Sequence, residues 1–218
     1  KMWSYSTSGK IMRYLWSTRM RFVDSETLRS ISNEYNADYY SLVRYLLSRG
    51  YLIRVFRGLF YVKSPEEFVL RRMNHSPMEL VANALDFLGV RNWYFGLYTA
   101  LYLCNMTHEF YPVAYVISDK IFRHRPISIA GGKFKFIKIR PNLFFGIIKH
   151  NSIRYSDPEK TLLDLIYLWR YRGLSSNEII AGILEYWRDI SWEKIYSYLK
   201  RYPHSVRRIV MRIKNEFI

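Results

Sequence analysis

From Ser8 onward the apolar positions recur first at helical and then at strand spacing. In "SGKIMRYLWSTRM" (8–20), Ile11, Leu15 and Trp16 fall on one helical face behind a capping serine. "VDSETLRSISNEY" (23–35) predicts a second helix, capped by Asp24 or Ser25. Its first turn holds Glu26, where the helix dipole favours negative charge. A short break at 36–38 ends on Asp38, which can cap a third helix, "DYYSLVRYLLSRG" (38–50). That helix closes on Gly50 after Arg49. In "YLIRVFRGLFYV" (51–62) the helical period is lost, and two β-rich runs meet at Arg57-Gly58, a hairpin signal.

Three short helices followed by a hairpin is the order of a winged helix-turn-helix, here assigned to residues 1–66. Helical phase divides the third helix into two stripes. Tyr39, Leu42, Val43 and Leu46 face the first two helices. Ser41, Arg44, Tyr45 and Ser48 face away, with Tyr40 at the edge of that outer stripe. A helix in the major groove needs an outer stripe that reaches bases and phosphates. Arg44 is the expected base reader, because a guanidinium can bond guanine bidentately. Tyr40, Ser41 and Tyr45 can supply hydroxyl contacts, and Ser25 and Ser48 complete the expected DNA-binding set. Arg54 and Arg57 on the hairpin suit phosphates, which position a protein without specifying sequence.

Residues 67–218 read as a second domain of mixed α and β structure, so the fold class expected for the chain is α+β. Pro65 and Pro77 bracket a connecting helix and the entry into that domain. "WYFGLYTALYLCNMT" from Trp93 reads as a buried helix, and "YPVAYVIS" (111–118) and "FKFIKIRP" (134–141) as strands. Period-2 alternation in the latter slips at Ile137, which implies either a bulge or a strand apolar on both faces. "LFFGII" (143–148) is a further strand candidate. The tail, 174–218, reads as two or three helices with Trp187, Tyr196 and Leu199 in the core.

Charge narrows the class of partner. The 218 residues carry a net charge of +16. Residues 1–65 contribute +7, residues 120–154 +9 with no acid, and residues 194–214 +7 with no acid. This sign points to a polyanion, nucleic acid before an anionic membrane surface. The longest uncharged run, 92–107, spans 16 residues and holds a glycine and several polar groups, so no membrane span is expected. A single cysteine, Cys104, cannot form an internal disulfide and reads as a small buried residue. With no signal pattern at the start, the expected location is the cytoplasm. The basic segment 120–154 leaves three readings open: a second DNA face, an RNA-binding face, or neither.

Enzyme motifs are missing. The sequence holds no Gly-rich phosphate loop, no nucleophile elbow, no H-E-x-x-H and no Cys/His cluster. Its five histidines (75, 108, 124, 150, 204) lack ligand spacing, and no cofactor or metal is expected. "YSDPEKTLLDLIYLWRYRG" (155–173) does gather Asp157, Glu159 and Asp164, which a metal-dependent nuclease could use. All three acids, however, sit at one helix start. Ser156 with Glu159 has capping-box spacing, and Asp157 followed by Pro158 is an alternative cap. Lys160 and Asp164 are one turn apart and can pair. Leu162, Leu163, Leu165, Ile166 and Leu168 make a core helix.

Two of these stretches carry a resemblance. "YFGLYTAL" (94–101) followed by a strand, and "DPEKTLLD" (157–164) later, resemble the AbiEi antitoxins of AbiE toxin–antitoxin systems. In that family a Y-x-G-x-x-[ST]-A-L segment precedes a [SD]-x-E-K-T-L-x-D helix start, behind an N-terminal winged helix. "LCNMTH" (103–108) departs from the L-H-G-L type sequence of many members. The resemblance implies an autorepressor that binds double-stranded promoter DNA, with possible self-association on it. It also implies a C-terminal domain that neutralises a companion nucleotidyltransferase-like toxin without forming a stable complex. An alternative reading, without the resemblance, is a winged-helix regulator whose second domain senses a ligand or dimerises.

Overall fold

The structure is a computed structural model and describes residues 6–217. The fold is α+β, with two compact units: residues up to 89 together with 128–132, and 90–127 together with 133 onward.

In the first unit, α1 (Thr7–Ser17), α2 (Ser25–Glu34) and α3 (Tyr39–Ser48) pack with a sheet of β1 (Phe22–Asp24), β2 (Leu52–Phe56) and β3 (Leu59–Val62). The strand order is β1-β3-β2, and both pairings are antiparallel. Ile11 and Leu15 of α1, Leu28 and Ile31 of α2, and Leu42, Val43 and Leu46 of α3 share one core with Val23, Leu52 and Phe60. Trp16 lies half-buried against that core, its indole N–H donating to the Lys63 carbonyl at 2.8 Å. Asp24 and Asp38 cap α2 and α3, each carboxylate accepting a backbone N–H three residues on.

The second helix starts behind Asp24, one of its two expected caps, but the strand before it has no counterpart in the sequence reading: Phe22–Asp24 forms β1 because Phe22 and Val23 pair with Tyr61 and Phe60 across the sheet. That pairing is tertiary, and the local period cannot announce it.

Two further helices, α4 (Pro65–Val69) and α5 (Pro77–Phe87), also belong to the first unit, so its boundary falls at Gly89 rather than at residue 66. A buried carboxylate explains the difference. Glu67, fully enclosed, accepts from the Tyr61 hydroxyl at 2.9 and 3.0 Å, from Ser64 N at 2.9 Å and from Asn74 N at 2.8 Å. It therefore ties β3 to α4 and to the chain beyond. Both helices open on a complete capping box with proline in the first turn, Ser64 with Glu67 and Ser76 with Glu79. Because α5 buries Leu80, Val81, Ala82, Ala84 and Leu85, its start matters to the whole unit. Ser76→Ala is expected to lower unfolding free energy by about 1 kcal/mol, the usual cost of a lost N-cap. Urea denaturation measures it, and an unchanged midpoint would show that water replaces the hydroxyl without loss.

The remaining strands form a six-stranded sheet, nearly all of it in the second unit: β4 (Trp93–Phe95), β5 (Val113–Ser118), β6 (Ile127–Ile129, of which 128 and 129 are grouped with the first unit), β7 (Gly132–Lys138), β8 (Ile147–His150) and β9 (Ile153–Ser156). Their order is β6-β7-β5-β4-β9-β8. β4 is antiparallel to β5 and parallel to β9, β5 is parallel to β7, and β8 is antiparallel to β9. Trp93–Phe95, expected to be helical, is thus a central strand, and the helix α6 (Leu97–Leu103) begins only after Gly96. The residues expected to form a strand from 143 instead hold the end of a 3₁₀ turn (Pro141–Leu143), and β8 begins at Ile147.

β7 settles the question raised by its broken alternation. Its register against β5 runs without a shift from Lys133 to Lys138, while Phe134, Phe136 and Ile137 are all buried. No bulge interrupts its pairing with β5: Phe134 and Phe136 are buried on one face, and Ile137 is buried on the face that also carries Lys133 and Lys135.

Helices α7 (Pro158–Tyr171), α8 (Ser176–Ile183), α9 (Trp192–Leu199) and α10 (His204–Phe217) complete this unit. Every residue of α7 from Glu159 to Ile166 is buried. In the tail Trp187 and Leu199 are core residues, but Tyr196 is not. It is 37% exposed, one position past buried Ile195 on α9 and so turned off the core stripe. Among the described residues no helix is long and apolar enough to cross a membrane.

Candidate functional site

On the first unit the outer stripe of α3 and the β2–β3 hairpin line one groove of about 710 Å³. Six of the sequence-predicted residues contribute to it: Ser25, Tyr40, Arg44, Ser48, Arg54 and Arg57. Among the described residues no carboxylate lines it. Ser41 and Tyr45 are exposed on the same helix but stand outside the groove. Tyr45 instead borders a separate cavity of about 340 Å³ with Arg49, Met12 and Tyr51. The Ser48 hydroxyl is already engaged by its own helix, donating to the Tyr45 carbonyl at 2.9 Å.

Local chemistry holds the groove open. Arg54 lies exposed on β2, where the register slips between Arg54 and Phe56, and its guanidinium sits 5.6 Å from the Phe60 ring centre. Gly58 takes a left-handed φ of +78° at the hairpin turn, and its carbonyl accepts from Ser25 N at 2.8 Å. A Cβ there would lie 2.9 Å from the Ser25 hydroxyl, so glycine also permits this close approach. The start of α2 and the arginine turn are thereby pinned together.

Arg29 was missed by sequence reasoning. It is exposed on α2, with its guanidinium 4.2 Å from the Tyr39 ring centre and 5.4 Å from that of Tyr40. Its place one turn after Ser25 was the available signal. It does not line the groove itself, but lies over Tyr39 and Tyr40, which do.

In the second unit the acidic stretch becomes two linked polar networks at the start of α7. Asp157 is the cap: Oδ1 accepts from Lys160 N at 2.8 Å, and Pro158 takes the first turn. Its other oxygen accepts from the Tyr198 hydroxyl at 2.7 Å and faces Lys194 Nζ at 2.9 Å. Glu159 turns away from Ser156, accepting Ser191 N at 2.9 Å and Lys194 Nζ at 2.7 Å. The capping box of Ser156 with Glu159 therefore does not form. The Ser156 hydroxyl is paired with that of Thr161 at 2.7 Å instead. Gly146, at φ +60°, makes room, since a Cβ would meet Tyr198 Oη at 3.0 Å and Lys160 Cβ at 3.1 Å.

Deeper in, Lys160 is wholly buried and pairs with Asp164. Its ammonium also donates to Tyr202 Oη at 2.8 Å and to Tyr94 Oη at 3.1 Å. Both tyrosine hydroxyls donate to Asp164 at 2.7 Å, closing the network. Burial pushes the Lys160 ammonium below its ordinary pKa against the opposing pull of Asp164, and pushes both phenols well up. Cys104 packs nearby, its thiol pushed up to about 12 chiefly by burial, which leaves it a thiol and not a reactive thiolate at neutral pH.

These carboxylates predict an acid response. Burial alone would raise Glu159 and Glu67. The Lys194 and Ser191 bonds to the first, and the Asn74, Ser64 and Tyr61 bonds to the second, outweigh it and hold both below the ordinary value of 4.5. A depressed folded pKa contributes stability that is fully present above the unfolded value and lost as pH falls through the folded one. Unfolding free energy is expected to decline from about pH 5 downward, with a shallower decline in Glu159→Gln. Denaturant midpoints across pH 3–7 measure it, and identical slopes for the two proteins would contradict the assignment.

No protein-family model and no curated protein matches the chain. Its structure is similar to the crystal structure of the RV2827C protein from Mycobacterium tuberculosis. The TM-score is 0.58 at 14% sequence identity, with 93% of this chain and 74% of that chain covered. At that identity the likeness is one of fold, and it extends over nearly all of this chain.

Proposed function

We propose that the protein is a DNA-binding autorepressor and antitoxin of the AbiE type. In this reading the first unit is a winged helix-turn-helix, α3 its recognition helix and the β2–β3 hairpin its wing. The observation that carries the DNA-binding part is the groove itself. Arg44, Arg54 and Arg57 line it with the hydroxyls of Ser25, Tyr40 and Ser48, and among the described residues no carboxylate lines it. Arginine supplies base contacts and phosphate contacts together, and a groove without acids does not repel the backbone. The antitoxin part rests on the sequence resemblance of 94–101 and 157–164 to AbiEi proteins. In the structure those two segments meet, through the bonds of Tyr94 with Lys160 and Asp164. Their signature residues thus build one core. The action proposed on the companion nucleotidyltransferase-like toxin is functional, without a stable complex, and the proposed setting is the cytoplasm.

The test has two arms. Titration of the protein against a duplex of its own upstream region should give sequence-specific retardation that a scrambled duplex does not. Co-expression with a nucleotidyltransferase-like product of the neighbouring gene should restore growth that the latter alone arrests. Specific DNA binding without rescue would leave a plain regulator with a ligand-sensing or dimerising second domain. Absence of both would sink the proposal.

A further inference from the structure

Parts of the basic segment 120–154 build a second cationic surface, away from α3 in sequence, whose lining residues all lie in the second unit. Its centre is a cleft of about 700 Å³ between the loop at Phe122–His124, the end of β7 and the last turns of α7. Ile137, Ile139 and Leu168, all buried, form an apolar floor. Lys138, Arg140 and Arg172 stand exposed on its walls beside Tyr171, which is 83% exposed. Among the described residues no carboxylate lines the cleft.

Two observations show a built site rather than a solvated face. Lys135 is spent on structure: its ammonium donates to the Arg123 carbonyl at 2.8 Å and the His124 carbonyl at 2.5 Å, and lies 5.7 Å from the Phe122 ring centre. The loop is thereby fixed with an aromatic ring, 45% exposed, at the rim. The cleft also continues. A second cavity of about 250 Å³ shares Arg140 and Tyr167 with the first and adds Arg201 and Tyr202, again without an acid among the described residues. Cations and aromatic residues thus line a track longer than one pocket.

We propose that this track binds single-stranded nucleic acid, with unstacked bases on Tyr171 and Phe122 and phosphates on Lys138, Arg140, Arg172 and Arg201. Duplex DNA hides its base faces and gains nothing from exposed rings, and an acidic peptide would have no use for the apolar floor. A single strand uses all three features, because every base has a face to stack and every linkage a charge. The shared chemistry is that of RNA and DNA strands alike, and the experiment separates the two. The inference does not rest on the promoter-binding proposal, which concerns α3.

The test is fluorescence anisotropy of the full-length protein with labelled 12-mer RNA, the DNA strand of the same sequence, and the corresponding duplex. Tyr171→Ala should weaken single-strand binding about 5- to 150-fold, the range for one lost stacking contact. It should leave duplex binding and the melting temperature unchanged, since the ring is exposed. Lys138→Ala with Arg140→Ala should flatten the slope of log affinity against log salt by about 1.4, for two released phosphate contacts. Tighter binding of RNA than of DNA assigns the track to RNA, and equal binding assigns it to single strands in general. Wild-type affinity in both variants would overturn the proposal. So would loss of single-strand binding in Arg44→Ala alone, or displacement of the strand by polyglutamate at equal charge.

Discussion

Replacing Asp164 with alanine is expected to lower unfolding free energy by about 3–5 kcal/mol, the cost of stranding a buried partner charge. Lys160 has no exposed surface, and its three N–H donors have three partners: Asp164, Tyr94 and Tyr202. The alanine variant removes the only countercharge among them and leaves both tyrosine hydroxyls without their acceptor. The lysine can escape only by losing its proton, and burial already pushes it that way. Without Asp164 its folded pKa falls further below the unfolded value, so the unfolded chain binds more protons over that interval. The deficit should therefore shrink as pH rises toward 10. Lys160→Met combined with Asp164→Leu should recover most of the loss, because an apolar pair of similar volume is often no less stable than a buried ion pair. Urea denaturation at pH 7 and pH 9.5 measures all three proteins. A single variant within about 1 kcal/mol of wild type would show that water reaches the site.

Arg44→Ala is expected to weaken binding to the native promoter by about 1–3 kcal/mol, a 5- to 150-fold loss, and to relax sequence preference at one base pair. Arg44 is exposed on the outer stripe of α3 and lines the groove with the two hairpin arginines. Arg57→Ala is the contrasting variant. A phosphate contact carries no sequence information, so its loss should weaken all duplexes alike and reduce the salt slope by about 0.9. Competition gel shifts at 50–200 mM salt distinguish the two patterns. Equal affinity of Arg44→Ala and wild type for the promoter would remove α3 from the recognition role.

What the sequence made legible depended on whether a signal was local. The phase of α3, the Asp38 cap, the Arg57-Gly58 turn and the leucines of α7 all follow from periods and caps, and the structure has them. β1 has no signal of its own and β4 reads as helix, because Phe22–Asp24 and Trp93–Phe95 are three-residue strands adjoining true helices. Nothing within three residues distinguishes a strand from a helical turn; only cross-sheet partners do. The pairing of Lys160 with Asp164 was legible at i, i+4. The two tyrosines that complete it come from 66 residues before and 42 after, beyond any local pattern. Of the groove, Arg44, Arg54 and Arg57 are legible by type and phase; the spacing of Arg29 from Ser25 is a local signal too, but its place over Tyr39 and Tyr40 follows only from the packing of α2 beside α3.

The buried carboxylate of Glu67 has a consequence for dissecting the molecule. A fragment ending at residue 66 would contain α1–α3 and the hairpin in full, yet would leave the Tyr61 hydroxyl without its acceptor. It would also discard α5, whose Phe87 packs with its ring centre 5.5 Å from that of Phe22 on β1. An excision for crystallography or titration that keeps α1–α5 therefore has to run at least through Gly89. A shorter piece that lost DNA affinity would report on its own damaged edge strand and not on the groove.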